Sequence, residues 1–476
     1  MHGAGILVDR DSQTPLHRQL AEAFRDAILS GKLAPGDRVL SSRELQTHLG
    51  LSRNTIVDAL DQLHSEGYLV TVRGVGTFVA EHSAGRIAEI GTAAGEPLLP
   101  TPLADAHAAA APFASNTDDN RAFRHGVPAL DLFAATQFKR CFRSSDWTVQ
   151  MLGYPDPQGY EPLREAISRR LRQTRGVACG ADQVFIINGA QAALSLVVRL
   201  LLRKGDRTIF EEPGYLGVRA VLLAHGARIV PAPVDRDGID PSTFARRAAS
   251  LVYVTPSHQY PTGAVLTLQR RLALLEWTHR NGAWIVEDDY DSEFNYTGRV
   301  VPALHGLAQG QRVLYLGTFS KVLSPALRIA YIVVPPELKD AFLAVQRVEG
   351  GGPNAFVQAA LARFMDEGHL GRHIAKMRKI YDERRRFIGS ALSAASDAFR
   401  VRDSRAGLHF VVDLPNNIRD AQVSERAERQ GIVVPPLSLY YLGKPTRNGL
   451  VVGFAATSIP RARDAVAVLK RSVSPA

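Results

Sequence analysis

The chain has 476 residues, 45% hydrophobic and 22% charged, an ordinary globular composition for roughly three domains or for one large domain and a smaller one. Its two cysteines, Cys141 and Cys179, exclude a disulfide framework, and its most apolar stretch, residues 192–202, is interrupted by Arg199 and too short to span a bilayer. The formal charge of +10 suits a polyanionic partner without placing it, and a soluble cytoplasmic protein with no membrane partner is expected. Residues 1–80 read as short helices followed by a glycine-punctuated strand pair. Thr14-Pro15 is the expected start of the first helix, with Thr14 as cap and proline at the first helical position, and Leu16, Leu20, Phe24 and Ile28 mark its inner face. A second helix opens at Ser41, where Glu44 completes a capping box, and stops at Gly50. A third opens at Ser52 and turns Ile56, Leu60 and Leu63 inward. Together they form a helix-turn-helix, and YLVTVRGVGTFV adds two strands around Arg73-Gly74-Val75-Gly76, a wing.

Residues 81–122 lose periodicity and become rich in Ala, Pro and small polar residues, the composition of an interdomain linker. From residue 123 to 476, apolar strands alternate with amphipathic helices, which predicts an α/β domain built on a mainly parallel sheet.

Within the N-terminal module, Arg53, Asn54 and Thr55 occupy the first turn of the third helix, where side chains and free N–H groups meet phosphates and base edges. Arg43 on the second helix and Arg73 at the wing tip flank that turn. A protein-interaction module is the alternative, since winged helices also bind proteins. Residues 1–80 hold eight basic and nine acidic residues, so DNA recognition there rests on placed arginines rather than bulk charge. The surplus lies in the larger part, in runs such as Arg169-Arg170-Leu171-Arg172 and Arg384-Arg385-Arg386, which read as solvated helix surface.

Three segments of the larger part carry chemistry. In VLYLGTFSKVLSPALRIAYIVVP, Lys321 follows a buried strand inside a Gly/Ser/Thr turn, a setting for a desolvated amine that forms a Schiff base, with Thr318, Ser320 and Arg328 nearby for a phosphate. In AWIVEDDYDSEF, alternation turns Asp288 and Tyr290 toward one site, the carboxylate suited to a pyridinium nitrogen and the phenol to a ring oxygen; a charged loop after a buried strand is the plainer reading. In VFIINGAQAA, a small-residue turn opens a helix whose N–H groups suit an anion. No metal is expected.

The N-terminal stretch, above all SSREL, LSRNT and RGVGTFV, resembles the GntR winged-helix family, and the resemblance implies DNA contacts from Arg43, Arg53, Thr55 and Gly74. Leu40 stands where that family more often has proline. The rest resembles fold-type-I pyridoxal-phosphate aminotransferases. That implies Lys321 as the Schiff-base lysine, Asp288 on the ring nitrogen, Tyr290 on the ring hydroxyl and Tyr215 of EEPGY stacked on the ring. Ala190, Gln191, Thr318, Ser320 and Arg328 would hold the phosphate, and Tyr154 of YPDPQGY would reach the phosphate of a neighbouring subunit. With TPSHQYPTG and GTFSK the whole chain resembles the MocR-type subfamily of GntR regulators, which implies a head-to-tail homodimer, an operator DNA partner and pyridoxal 5'-phosphate as cofactor.

Two departures stand out. Tyr260 occupies the place of an aminotransferase asparagine that bonds the ring oxygen. Leu450, Val451 and Val452 precede the Gly-Phe pair where many aminotransferases carry an arginine for the substrate carboxylate, and Arg447 and Arg405 are the nearest substitutes in sequence. The reading is a regulator sensing pyridoxal phosphate, alone or with an amino compound, and not an enzyme beyond a residual half-transamination. The alternatives are an aminotransferase with an accessory DNA-binding module and a catalytically dead fold used for dimerisation.

Overall fold

The computed structural model describes residues 8–81, 121–145, 148–297, 302–402 and 405–473. The chain falls into two units, residues 1–98 and 99–476, and of the expected linker, 81–122, residues 82–120 lie outside the described residues.

In the first unit, α1 (Leu16–Leu29) buries Leu20, Phe24 and Ile28, one residue per turn along a single face. Thr14 does not cap it. The helix begins one residue later than expected, with the extended Pro15 at the N-cap position and no side-chain cap. Pro15 O takes the N–H groups of Arg18 and Gln19 instead. β1 (Arg38–Val39), unforeseen because two residues carry no periodicity, precedes α2 (Ser42–Leu49) and α3 (Arg53–Ser65). The capping box at α2 is complete: Glu44 N donates to Ser41 Oγ at 3.3 Å and Ser41 N to Glu44 Oε2 at 2.8 Å. Gly50 closes α2 in the left-handed region at φ 61°. α3 buries Ile56, Ala59 and Leu63, while Leu60 packs half-buried against the same core. β2 (Leu69–Val72) and β3 (Gly76–Val79) form the wing, with β1 on the other edge of β3. Arg25 forks onto Glu66 at 2.7 Å and ties α1 to the end of α3. Removing the cap with Ser41→Ala is expected to cost about 1 kcal/mol. Hydrogen exchange of α2 amides in the full chain should then run roughly fivefold faster, whereas Ser41→Asp should leave it near wild type.

In the second unit, α4 (Ala135–Arg143), α5 (Val149–Leu152) and α6 (Glu161–Arg175) lead into the main sheet. There follow β4 (Val184–Ile187), α7 (Ala190–Leu201), β5 (Arg207–Glu212), α8 (Leu216–His225), β6 (Arg228–Asp235) and β7 (Gly238–Ile239). Next come β8 (Leu251–Val254), α9 (Leu268–Asn281), β9 (Trp284–Asp289), α10 (Leu304–Leu307), β10 (Val313–Thr318) and β11 (Ala330–Val333). Helices α11 (Lys339–Val348), α12 (Ala355–Asp366) and α13 (His369–Ala395) then lead to β12 (Arg400–Val401), β13 (His409–Asp413), α14 (Asp420–Glu428), β14 (Gly449–Gly453) and α15 (Ile459–Val473). The main sheet runs β4-β11-β10-β9-β8-β5-β6-β7. Strands β10, β9, β8, β5 and β6 are parallel neighbours, β11 is antiparallel to both β10 and β4, and β7 is antiparallel to β6. A small antiparallel sheet, β12-β13-β14, completes the expected C-terminal α+β subdomain.

Alternate residues of β4 serve different apolar clusters, Val184 and Ile186 one and Phe185 and Ile187 the other. The sheet is thus covered on both faces, which leaves the carboxyl ends of its parallel strands as the place for a ligand. Among the described residues no helix is long and apolar enough to cross a membrane.

Candidate cofactor cavity and nucleic-acid surface

The turns after β4, β5, β9 and β10 open on a cavity of about 630 Å³. Asp288, Tyr290, Thr318, Ser320 and Lys321 line it, and so do Ala190, Gln191, Tyr215, Tyr260 and Arg328. Segments that lie far apart in sequence therefore converge as the motifs imply. Strand alternation separates the adjacent carboxylates: Asp288 and Tyr290 face the cavity, while Asp289 is bound by Arg175 at 2.8 Å and by the Tyr315 hydroxyl.

Asp288 is 5% exposed, and Tyr253 OH donates to its Oδ2 at 2.7 Å. Its Oδ1 is buried without a hydrogen-bond partner. Burial pushes this carboxyl up to about 7, against the hydrogen bond from Tyr253. Lys321 Nζ donates to Gly126 O at 2.6 Å. Burial lowers its proton affinity, with Asp288 and Asp291 pulling the other way. Tyr290 OH lies 3.0 Å from His258 Nδ1, which is also 2.9 Å from Asp291 Oδ2. His258 and Tyr253 were invisible as site residues in the sequence. Their partners sit more than thirty residues away, and only the adjacency of β8 and β9 brings them together.

The phosphate end is built from backbone. Gly189, at φ 89°, precedes α7, whose N-terminus has no side-chain cap and so presents free N–H groups. A Cβ on Gly189 would lie 3.2 Å from the Arg328 guanidinium, so glycine lets that cation close on the turn. Gly217 does the same for Tyr215, whose ring a Cβ there would strike at 2.4 Å. An uncapped helix start beside a guanidinium and hydroxyls, and a buried carboxylate oxygen left without a donor, fit a phosphorylated pyridine with a protonated nitrogen.

Not every expectation reaches the cavity. Tyr154 is fully exposed and does not line it within its own chain. Tyr260 does line it, but its hydroxyl donates to Tyr440 OH at 3.1 Å. Arg447 is held by Asp413 at 2.7 Å, and neither it nor Arg405 lines the cavity. The wall includes instead residues 121 and 124–127, a segment whose sequence gave no hint of this place.

On the first unit, Arg43, Arg53, Asn54, Arg73 and Gly74 are exposed. Thr55 is half-buried, with its Oγ1 2.8 Å from the cap Ser52 Oγ. Arg73 and Gly74 lie in the loop joining β2 to β3, with Gly74 at φ 83°. The larger unit's arginine runs are not simply solvated. Arg169 pairs with Asp366 at 2.7 Å, Arg170 with Glu293 at 2.7 Å and Arg385 with Asp382 at 2.8 Å, while Arg384 is buried and donates to Ala455 O. Arg385 meets its acid one turn away on its own helix, whereas Arg169, Arg170 and Arg384 find acids or a carbonyl on other segments that helical spacing does not show.

Residues 16–79 match the gntR family of bacterial regulatory proteins, and residues 139–468 the class I and II aminotransferases. Over 98% of its length the chain is 38% identical to the probable rhizopine catabolism regulatory protein MocR of Rhizobium meliloti, 95% of which is covered. The chain belongs to the MocR-type regulators of the GntR family. This MocR-type chain is also 32% identical to the pyridoxine biosynthesis transcriptional regulator PdxR of Corynebacterium glutamicum, over 98% of each. Its larger unit resembles LysN, the α-aminoadipate aminotransferase of Thermus thermophilus, solved with N-(5'-phosphopyridoxyl)-L-leucine. That likeness has a TM-score of 0.70 and 25% identity, and covers 77% of this chain and 96% of the other. A MocR-type chain thus joins a GntR winged helix to an aminotransferase fold and works as a transcription regulator.

Proposed function

We propose that this MocR-type protein is a cytoplasmic, DNA-binding transcription regulator that senses pyridoxal 5'-phosphate, alone or with an amino compound, in the cavity at the strand ends. One observation carries the reading: Lys321 and the half-satisfied Asp288 line the same cavity in a chain that also carries a winged helix. When bound, pyridoxal phosphate supplies an electrophilic aldehyde carbon and a ring nitrogen that is cationic when protonated. Lys321 Nζ, its proton loosened by burial, is the amine to meet that carbon. Asp288 Oδ1 would accept a hydrogen bond from the protonated ring nitrogen and keep the proton there, and Tyr253 holds the carboxylate in place. Tyr290 and Tyr260 serve the ring oxygen, and Tyr215 covers the ring face. The α7 N–H groups at Ala190 and Gln191, with Thr318, Ser320 and Arg328, bind the phosphate.

The division into a DNA-binding domain (1–80), a linker (81–122) and an effector and dimerisation domain (123–476) belongs to this reading. So does a head-to-tail homodimer in which each exposed Tyr154 completes the partner's phosphate site. Arg43, Arg53, Asn54, Thr55, Arg73 and Gly74 contact operator DNA, and ligand binding alters dimer or linker geometry and hence the spacing of two winged helices on their half-sites. The test is operator affinity and footprint with and without pyridoxal phosphate, in wild-type and Lys321→Ala protein; the same affinity and footprint in all four cases would overturn the reading. Arg53→Ala should weaken operator binding by about 1–3 kcal/mol, roughly five- to 150-fold in a gel-shift titration, and leave cofactor absorbance as in wild type.

A further inference from the structure

We infer that His258 and Asp291 are positioning residues for the cofactor: Asp291 fixes which nitrogen of His258 carries the proton, and His258 thereby leaves the Tyr290 hydroxyl free to donate to the ring oxygen. This rests on the cavity being the pyridoxal-phosphate site proposed above. Tyr290 lines that cavity, whereas His258 and Asp291, each 1% exposed, do not, so neither reaches the cofactor itself. One nitrogen serves two neighbours: His258 Nδ1 lies 3.0 Å from Tyr290 OH and 2.9 Å from Asp291 Oδ2. A neutral imidazole has one N–H and one bare nitrogen, and a phenol has one proton to give. A bare Nδ1 would take the Tyr290 proton and turn its lone pair on the carboxylate, acceptor against acceptor. A protonated Nδ1 donates toward Asp291, and the Tyr290 hydroxyl keeps its proton for the cavity. An ionised Asp291 favours the second arrangement. Burial pushes the Asp291 carboxyl up, and His258 is the strongest pull the other way. Burial and the charges of Asp291 and Asp288 hold the Tyr290 proton on, so the phenol is a donor.

Three distant segments close on the pair. His258 comes from the turn after β8, Asp291 follows β9, and Gly407 lies just before β13. Gly407 has φ 77°, and a Cβ on it would lie 2.2 Å from the His258 ring and 2.5 Å from Asp291 Oδ2, so only glycine lets that segment pack there. Gly407 N donates to Phe294 O at 2.8 Å, and Tyr296 OH donates to Gly407 O at 2.6 Å, which fixes the approach. The His409 ring centre is 5.0 Å from that of His258, and its Nε2 is 3.1 Å from Pro261 O. Apolar side chains of the same volume would often serve stability as well. What the polar pair adds is the orientation of a phenol. Besides Tyr296, the titratable groups facing the three are Asp288 and Asp289 on β9, Glu211 on β5, Lys321, Tyr260 and His409. All of these stay unchanged in the variants that test the pair.

Full-length protein loaded with pyridoxal phosphate is titrated with base, and the pH midpoint of the cofactor absorbance change is read beside the cofactor dissociation constant. A hydrogen bond to the ring oxygen favours the deprotonated, more anionic cofactor, so losing it should raise the midpoint. Tyr290→Phe should raise it by about one pH unit, and His258→Leu by about half a unit, roughly a threefold change in proton affinity. His258→Asn, whose amide N–H can stand where Nδ1–H stands, should restore most of the wild-type value. In the Tyr290→Phe background His258→Leu should add nothing. Asp291→Asn removes a charge that acts on Lys321 with or without Tyr290, so its shift is compared between the two backgrounds and should be the more upward where Tyr290 is present. No rise in His258→Leu, or shifts for it and for Asp291→Asn that are the same in both backgrounds, would overturn the assignment. If His258→Leu does not fold, the Asp291→Asn comparison decides alone. Loading is scored by absorbance before the titration, so wild-type protein that takes up no pyridoxal phosphate refutes the parent reading and is told apart from failure of the pair's role.

Discussion

Lys321→Ala protein, mixed with pyridoxal phosphate and reduced with borohydride, is expected to carry no cofactor on the peptide spanning the β10–β11 turn, whereas wild type carries one per chain. The turn presents a single amine to the cavity, and the fold has prepared it for reaction. Lys321 follows the fully buried strand β10. Its nitrogen reaches Gly126 O at 2.6 Å, and burial outweighs the pull of Asp288 and Asp291 and loosens its proton. A neutral amine is the nucleophilic form, so burial that lowers the proton affinity of Lys321 favours the form that reacts. Peptide mass spectrometry decides the matter, and a label on the variant's turn peptide, or none on wild type, would remove Lys321 from its role. Phosphate contacts remain in the variant, so reversible cofactor binding should persist with much faster release.

Asp288→Asn should move cofactor affinity and cofactor-free stability in opposite directions. Removing one member of a buried, oppositely charged pair costs about 3–5 kcal/mol, so cofactor affinity should fall by roughly two to three and a half orders of magnitude in equilibrium dialysis. Without cofactor, the wild-type carboxylate is a burden. It is desolvated, it lies near Asp289 and Asp291, and one of its oxygens has no donor. The folded chain holds its proton up to about 7, against an ordinary value of 3.8, so the folded form binds more protons than the unfolded chain between those values. Stability contributed at this position therefore falls as pH rises through that window. The cofactor-free asparagine variant should melt close to wild type near about pH 4, above it by a margin that widens to about pH 7, and above it by a constant margin beyond. Equal melting at every pH, or unchanged cofactor affinity, would contradict the assigned role.

What the sequence made legible was local. A capping serine, a glycine at positive φ and a strand ending in a carboxylate announce themselves within a few residues, and Ser41, Gly50, Gly189 and Asp288 sit where those signals put them. Alternation along β9 correctly separated Asp288 and Tyr290 from Asp289, because a pleated strand offers only two faces. The missing pieces were set by tertiary adjacency. Tyr253 supports Asp288 because β8 lies beside β9 with Tyr253 opposite Val286, one step along the same face from the carboxylate. The arm of residues 121–127 owes its place to Thr457, Ile432 and Gly453, hundreds of residues further on. Arg384 reads as part of a solvated basic run, yet its guanidinium is drawn inward to a carbonyl that the sequence does not reveal. Thr14 was a poorer guide, since a proline that already holds extended geometry can begin a helix with no capping side chain.

The hydrogen bond from Lys321 to Gly126 gives one nitrogen two uses. A free lysine ammonium has three N–H donors, and a nitrogen bonded to a further carbon has fewer and points them differently. Engaging the amine therefore changes its hold on Gly126, and Gly126 belongs to the stretch that continues, through residue 121, into the chain leading back to the winged helix. Two equilibria that share an atom are thermodynamically linked, and the linkage is symmetric. Whatever factor the cofactor imposes on operator affinity, operator DNA imposes on cofactor affinity. The genome would then be a ligand of the vitamin site, and chains bound at a promoter would hold their cofactor with a different grip from chains free in solution.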